Sequence, residues 1–382
     1  MNNQFVKLGE VCDFQGGSQP PKSEHIYEKK PGYIRFIQIR DFESDDYLTF
    51  IPIDRKNKIC QEDDVLIARY GASIGKILTG LSGAYNVALI KCIPDEKRLK
   101  KRFLYYYLNT SKIQKFIQLR SKRSAQEGVD PKELKQQLIY LPSLEAQNRI
   151  VYVLDKAQEL INKRKAQIEA LDQLTQSVFL EMFGDLRTNQ KGWKIVELSE
   201  VVQVDANLVD DITNYVNYPL VGIDNIEKNT GNLINIKTVG ESDVKGSKYF
   251  FSREHILYSK IRPYLNKVAS PSFEGLCSTD AYPLKINKEK ANKQFILNIL
   301  RSKDFVSYAV KHSKGANIPR IDQKQLLNYK TILPDLNTQN QFENIVKKIE
   351  IQKEIIKKSL RELENTFNSL MQRAFKGELF NN

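Results

Sequence analysis

The residues of this chain that could carry out chemistry do not assemble into a catalytic motif. GASIGK at 71–76 is similar to a phosphate-binding loop, but three residues rather than four separate its glycines, and Ile77 replaces the magnesium-binding Ser or Thr. An amino-methyltransferase needs paired prolines followed by an aromatic residue, which NIPR at 317–320 lacks. The histidines lie far apart, without metal-ligand spacing: His25, His255 and His312. We therefore predict a non-catalytic chain that binds no cofactor or metal.

The charge balance favours an anionic partner. The 382 residues include 59 Lys and Arg against 46 Asp and Glu, a formal net charge of +13, and nucleic acid is the usual partner of such a chain. The sequence begins without the apolar segment of a signal peptide, and no stretch reaches the roughly 18 apolar residues of a membrane span. The four cysteines lack metal-ligand spacing. We expect buried free thiols, a cytoplasmic location and no membrane contact.

A long internal repeat sets the architecture. LPSLEAQNRI at 141–150 returns 192 residues later as LPDLNTQNQF at 333–342. A repeat of this length has to be recognised before the fold is inferred, because it defines the unit that folds. The offset is about half of the chain, so we predict two similar halves.

The stretches before these strings also correspond. IRFIQIRDF at 34–42 and DVLIARYG at 64–71 have the apolar patterns of strands. YPLVGIDNIE at 218–227 matches the first of them, and the helix-like FILNILRS at 295–302 matches FLYYYLN at 103–109. His255 falls opposite Asp64, at a turn before a strand. The scaffold repeats more clearly than the loops, which indicates one task performed on two different targets.

A heptad pattern follows each repeated string. Seams kept over more than four heptads predict two long coiled-coil helices, each of roughly 40 residues or 60 Å. These helices can pair antiparallel within the chain, and pairing between chains is the alternative. Arg164, Thr175 and Lys353 interrupt the seams, and we expect each of them to extend to the seam edge. The apolar seam positions are Leu154, Ile161, Ile168, Leu171, Val346, Ile349, Ile356, Leu360 and Leu363.

These patterns predict an α+β chain. Two mixed α/β globular domains, at 1–143 and 187–335, are separated by two long coiled-coil helices at 144–186 and 336–382, which are antiparallel if they pair within the chain. The halves are related by a pseudo-two-fold repeat.

The ordered strings resemble the specificity subunit of type I restriction–modification systems over essentially the whole chain. Besides the two repeated strings, the resemblance rests on FLEMFGDL at 179–186, AFKGEL at 374–379, GGSQPPKS at 16–23, GYIRFIQIRDF at 32–42, GAYNVAL at 83–89, KIRPYLNKV at 260–268 and CSTDAYPL at 277–284. It implies two target-recognition domains separated by two antiparallel coiled-coil helices, in which each domain reads one half of a split sequence in double-stranded DNA. It also implies that the helices set the gap and bind two methyltransferase subunits, which carry S-adenosylmethionine. A separate restriction subunit, a motor nuclease, would cut unmethylated DNA.

Base edges are read best by Arg, Lys, Asn and Gln, and affinity needs cations near phosphate. In the first domain we predict DNA contacts from Gln19, Lys22, Arg40, Arg69, Tyr70, Lys76, Asn86, Lys122, Arg123 and Gln126. In the second domain we predict them from Lys260, Arg262, Tyr264, Asn266, Lys267, Thr279, Lys314, Asn317 and Arg320. Tyr264 could equally belong to a core.

Two other interpretations stay open. The chain could be the specificity subunit of a system whose partner fuses cutting and methylation in one polypeptide, since its sequence would look the same. It could also be a helical scaffold that touches no DNA, although the net charge of +13 argues against this.

Overall fold

The computed structural model describes residues 5–121, 128–242 and 244–380, and it divides into two compact units. Unit 1 comprises Met1–Lys165 and Lys358–Asn382, and unit 2 comprises Ala166–Lys357. The boundary therefore falls within both long helices, and each unit contains one repeat of the globular sequence.

Unit 1 builds its sheets from short strands. They are β1 (Phe5–Lys7), β2 (Cys12–Gly16), β3 (Tyr33–Ile37), β4 (Phe50–Pro52), β5 (Ile59–Cys60), β6 (Val65–Ala68), β7 (Ile77–Leu78), β8 (Gly83–Tyr85), β9 (Leu89–Pro94) and β10 (Leu138–Tyr140). One sheet has the order β2-β9-β6-β7, a second has β4-β3-β8-β5, and β1 pairs with β10. Strands β3 and β8 run parallel, whereas the other pairs are antiparallel.

Unit 2 repeats this topology. Its strands are β11 (Lys194–Glu197), β12 (Val202–Val204), β13 (Leu208–Val209), β14 (Pro219–Val221), β15 (Lys237–Thr238), β16 (Lys248–Phe251), β17 (His255–Ser259), β18 (Val268–Ala269), β19 (Gly275–Cys277), β20 (Ala281–Ile286) and β21 (Lys330–Leu333). The order β12-β20-β17-β18 matches the first sheet of unit 1. The second sheet, β15-β14-β19-β16-β13, matches the other with β13 added, and β14 and β19 form its parallel pair. The predicted repeat is therefore confirmed in three dimensions.

Short helices cover the first sheet of each unit, and the two long helices follow the repeated strings. The helices are α1 (Lys101–Leu108), α2 (Ser111–Ser121), α3 (Pro131–Lys135), α4 (Leu144–Phe183), α5 (Lys293–Arg301), α6 (Lys303–His312), α7 (Gln323–Leu327) and α8 (Leu336–Lys376). Helices α1 and α5 confirm the predicted matching helices. Gly184 and Gly377, with φ of +80° and +81°, follow the ends of α4 and α8, as expected of glycine after a helix C-terminus.

The string at 34–42 is a strand only in part. Strand β3 ends at Ile37, and a 3₁₀ turn, Ile39–Phe42, follows it. The backbone N–H of Gln38 donates to Asp41 Oδ2 at 2.7 Å, which favours the turn over further extension. In unit 2, Gly222 N donates to Asn225 Oδ1 at 2.8 Å in the same way. The prediction of a strand through residue 42 was wrong because it ignored this cap.

The turn before β6 and β17 is also repeated. Gln61 N donates to Asp64 Oδ2 at 2.9 Å, and Ser252 N donates to His255 Nδ1 at 2.9 Å. Both capping side chains are buried. The predicted equivalence of His255 and Asp64 is confirmed, and its physical basis is a shared backbone cap made by two different side chains.

Within each unit the long helices run antiparallel and close the core. In unit 1, Phe375 at the end of α8 packs against Phe103 with ring centroids 4.9 Å apart. In unit 2, Phe342 near the start of α8 lies 5.3 Å from Phe183 at the end of α4. Of the seam positions, Leu154, Ile161, Val346 and Ile349 are buried, and the others are half-buried: Ile168, Leu171, Ile356, Leu360 and Leu363.

The expectation that Lys353 extends to the seam edge was wrong. Only 6% of the residue is exposed, and its ammonium group forms an ion pair with Asp172 of the facing helix at 2.5 Å. A buried ammonium group needs a charged partner, and Asp172 supplies one from a side chain that is 43% exposed.

Candidate nucleic-acid interface

A loop with the same unusual backbone follows the same strand in each unit. In unit 1 a 3₁₀ turn, Gly71–Ser73, comes after β6; Gly71 begins this turn and Gly75 lies two residues after it, with φ of +76° and +81°. In unit 2 the turn is Pro263–Leu265, and Arg262 and Asn266 flank it, each with φ of +48°. We call these segments, 71–75 and 262–266, the display loops.

Arg262 departs from the pattern of the other display loop. A left-handed backbone costs a residue with a Cβ about 1–2 kcal/mol, whereas glycine adopts it freely. The repeat has glycine at this position, so the fold itself does not require arginine. Strain of this kind is concentrated at functional sites, and Arg262 is exposed. The structure therefore best supports a functional role of the Arg262 side chain as the reason that arginine stands here in place of glycine.

The display loop of unit 2 forms one wall of a cleft of about 490 Å³. Tyr264 is 54% exposed, which excludes the alternative that it belongs to the core. Both signs of charge line the cleft, with the residues Asp224, Lys248, Arg262, Lys267 and Asp280. Such a surface can donate to base acceptors and accept from base donors.

A second segment of unit 2 supports the display loop. Arg262 N donates to Pro319 O at 2.7 Å, and the backbones of Lys314 and Arg320 donate to each other at 2.8 Å. Lys314, Asn317 and Arg320 are all exposed, and Arg320 lies 3.8 Å from Asp280. The structure thus brings three predicted contact residues next to Arg262.

Other predicted residues of unit 2 are held by the protein. Lys260 lies 5.5 Å from the Tyr282 ring centroid. Lys267 Nζ donates to Ile223 O at 2.8 Å. Asn266 Nδ2 donates to Arg301 O at 3.0 Å, and Thr279 is half-buried. Contact between DNA and these four residues stays a prediction. It would require their side chains to rearrange, or to use hydrogen-bond donors that the protein contacts leave free.

In unit 1 the predicted residues occupy separate places. Arg69 stacks on Tyr70, 4.9 Å from the ring centroid, beside the display loop. Lys76 forms an ion pair with Glu43 at 2.8 Å, and this hydrogen bond lowers the pKa of Glu43. Arg40 lies over Tyr47 at 5.1 Å.

The remaining predicted residues of unit 1 differ in accessibility. Gln19 and Lys22 are exposed, whereas Asn86 is half-buried and its Oδ1 accepts from Ala88 N at 3.1 Å. Lys122, Arg123 and Gln126 lie outside the described residues. Gly128, just beyond them, packs against Tyr70, because a Cβ there would lie 2.7 Å from Tyr70 Cε1.

Sequence reasoning missed residues that support the display loops. Gln114 of α2 donates to Gly75 O, and Arg301 at the end of α5 donates to Val268 O at 2.8 Å. Lys248 and Asp224 of the cleft were also missed. Gln114 and Lys248 lie outside the repeated strings, and Asp224 and Arg301 lie in strings, 218–227 and 295–302, that we used only to match strands and helices.

Comparison with known proteins identifies the family. The sequence model of the type I restriction modification DNA specificity domain matches residues 1–170 and 190–365. The chain belongs to this family. It is therefore a DNA sequence-recognition subunit of type I restriction–modification.

The relatives have low sequence identity to this chain but align with most of its length. The chain is 25% identical over 353 residues to the type I restriction enzyme EcoDI specificity subunit of Escherichia coli, covering 82% of this chain and 78% of that one. It is 22% identical over 397 residues to the MjaVIII specificity subunit of Methanocaldococcus jannaschii, with coverage of 98% and 92%.

Solved structures share the fold. The type I S subunit from M. genitalium has a TM-score of 0.55 at 14% identity, with 98% of this chain and 97% of that one covered. A chain from a study of type I restriction–modification complex assembly has a TM-score of 0.54 at 16% identity, with 98% of each covered. In the described part of this protein, no helix is both long and apolar enough to cross a membrane.

Proposed function

We propose that this subunit reads a split DNA site, one half with each unit, and directs adenine N6 methylation by bound methyltransferase subunits. Two such subunits would bring S-adenosylmethionine and the catalytic residues, and motor-nuclease restriction subunits would cut DNA that lacks the mark. The chain itself would act by recognition and would catalyse no step. Its place of action would be the cytoplasm, where host and foreign DNA are met.

The observation that carries this proposal is the repeated display loop. Each unit offers a 3₁₀ turn after equivalent strands, in a five-residue loop that begins and ends with a left-handed residue. The two left-handed positions are equivalent in the repeat while the side chains differ, with Gly71 in one unit and Arg262 in the other. A shared frame with different side chains suits two readers of different half-sites.

The long helices supply the second part of the proposal. Helices α4 and α8 have 40 and 41 residues, and their apolar seam positions are buried or half-buried. We expect this paired segment to fix the gap between half-sites and to give the methyltransferase subunits a binding surface. A rigid spacer is needed because direct readout requires each loop to meet its groove in one register.

Methylome mapping tests the proposal. The chain is co-expressed with the methyltransferase subunit encoded beside it in a host without adenine methylation, and N6-methyladenine is mapped by single-molecule sequencing. We expect a split motif with a fixed gap. A stable complex that methylates no motif would favour the scaffold interpretation. Cleavage of unmodified DNA by a single fused partner, without a separate restriction subunit, would favour the fused-enzyme alternative.

A further inference from the structure

We propose that two side-chain amides, Gln114 in unit 1 and Asn266 in unit 2, are positioning residues for the display loops. Each amide ties the last residue of its loop to the end of the helix that covers the sheet, and so sets how strictly its half-site is read. The inference rests on the proposed function, since it takes the display loops as the parts that face DNA.

In unit 1 the tie comes from a neighbouring helix. Gln114 Nε2 donates to Gly75 O at 3.1 Å and to Leu108 O at 2.8 Å. Gly75 ends the display loop, and Leu108 ends α1. Helix α2 also packs closely on the loop, because a Cβ at Gly75 would lie 2.7 Å from Ile117 Cγ2. One amide thus joins the loop to two helices.

In unit 2 the loop supplies the amide itself. Asn266 occupies the left-handed position that Gly75 has in the repeat, and its Nδ2 donates to Arg301 O at 3.0 Å. Arg301 is the last residue of α5, which corresponds to α1. Asn266 Oδ1 is buried and has no partner among the described residues. The carboxamide therefore faces the protein, which changes the role predicted for Asn266 from DNA contact to loop positioning.

Arg301 strengthens the same tie from the other side. Its guanidinium donates to Val268 O at 3.1 and 2.8 Å, two residues after Asn266. Burial lowers the pKa of Arg301 to about 10, so it stays charged at neutral pH. Gly231 packs directly against the Arg301 guanidinium, since a Cβ at position 231 would lie 2.2 Å from Arg301 Nη2. The end of α5 consequently fixes the segment that leaves the display loop.

The two ties use unrelated residues for one link. Val306 stands at the repeat position of Gln114 and has no side-chain donor, and Gly75 stands opposite Asn266 and has no side chain. Each unit therefore has one amide and lacks the other. In both units a side-chain amide joins the display loop to the end of the covering helix, but the amide comes from a different position. Because no single inherited residue accounts for both contacts, we infer that the contact itself is needed. A loop that moves by about 1 Å loses directional hydrogen bonds to bases.

The test uses the co-expressed complex with its methyltransferase subunits. Asn266→Gly removes the amide and keeps the left-handed backbone, as Gly75 does, and Gln114→Leu removes the other amide at similar volume. Methylation is measured on sites that carry one base change in either half. For Asn266→Gly we expect discrimination to fall about five- to tenfold in the half read by unit 2 and to stay unchanged in the other. Gln114→Leu should give the reverse.

A rescue experiment moves the amide of unit 1 to the equivalent position of unit 2. Val306→Gln in the Asn266→Gly background places the unit 1 amide in unit 2, and we expect it to restore most of the lost discrimination. Equal loss in both halves, or a fall in melting temperature with unchanged discrimination, would overturn the proposal. If Asn266→Gly does not assemble, Asn266→Asp removes the donor at the same size and is read in the same way.

Failure of the proposed function would look different. Arg262→Ala tests whether the unit 2 display loop reads DNA at all. If that variant leaves methylation specificity unchanged, the loop assignment fails. If it alters the unit 2 half-site while Asn266→Gly and Gln114→Leu do not, only the positioning inference fails.

Discussion

Lys353 and Asp172 form an ion pair inside the helical seam of unit 2. Lys353 Nζ lies 2.5 Å from Asp172 Oδ1 and 3.5 Å from Glu350 Oε1. The lysine side chain is 8% exposed, whereas that of Asp172 is 43% exposed. In the other repeat Ile161 occupies the position of Lys353 and is buried. One seam is therefore apolar where the other is ionic, and the helices are not interchangeable.

Removing the two partners should have unequal effects on stability. Lys353→Ile copies the other repeat, and we expect the free energy of unfolding to stay unchanged or to rise, because the desolvation cost of the lysine disappears. Asp172→Asn leaves the buried ammonium with the more distant Glu350, and we expect a loss of about 1–3 kcal/mol, reduced by the exposure of Asp172. Thermal and urea unfolding measure both. Equal destabilisation by the two substitutions would contradict this account.

The repeated string keeps a buried glutamine in each half. Gln147 accepts from Lys100 N at 2.9 Å and donates to Pro142 O at 2.9 Å, and its repeat Gln339 makes the same bonds to Asn292 and Pro334. Both are fully buried. Replacing either by Leu leaves backbone groups unpaired, and we expect a loss of roughly 2–4 kcal/mol.

Urea unfolding of the Gln147→Leu and Gln339→Leu variants measures this loss. Gln158→Leu is the matched control, since among the described residues its amide donates to Asn162, one turn away on α4, and it should change stability by less than about 0.5 kcal/mol. A similar loss in the control would argue that any Gln-to-Leu change in these helices has the same effect.

Arg262→Gly should separate stability from recognition. Glycine accepts the backbone with φ of +48°, so we expect stability to rise by about 1 kcal/mol. The same change should weaken methylation at the half-site read by unit 2 about tenfold or relax one of its positions, while the other half-site stays as before. Melting curves and methylome mapping give the two readouts. A variant that is more stable and unchanged in specificity would remove Arg262 from the reading surface.

Lengthening the helices should lengthen the gap between half-sites. Seven residues inserted into both α4 and α8, at matched seam positions, keep the heptad phase and add about 10 Å, or about three base pairs. We expect a methylated motif with the same halves and a longer gap. Insertions of three residues serve as the control, because they shift the seam and should abolish assembly. An active complex with an unaltered gap would refute the spacer role.

The cysteines should be unreactive in the native protein. Burial raises the pKa of Cys60 to about 11 and that of Cys277 to about 12, and only the thiolate reacts with alkylating reagents. At pH 8 we expect both to resist iodoacetamide until urea unfolds the chain, as read by mass spectrometry. Labelling of either at the rate of a free peptide thiol would show that its unit opens under native conditions.

The sequence alone determined the repeat, the long helices and the matching strands. An offset of 192 residues and a sustained heptad pattern are local regularities, so they are visible without tertiary contacts. The same regularity predicted the equivalence of His255 and Asp64, although the two side chains share no chemistry. It also supplied the residue types suited to DNA, with Arg262 and Tyr264 among them.

Tertiary structure decided where those residues point and what holds them. Arg262 has a left-handed backbone, and its N–H donates to the carbonyl oxygen of Pro319, which lies far along the chain. Asn266 faces Arg301 rather than solvent, and Lys353 pairs with Asp172, 181 positions earlier. Such contacts join distant segments, and their energies depend on burial and geometry that composition and spacing do not encode.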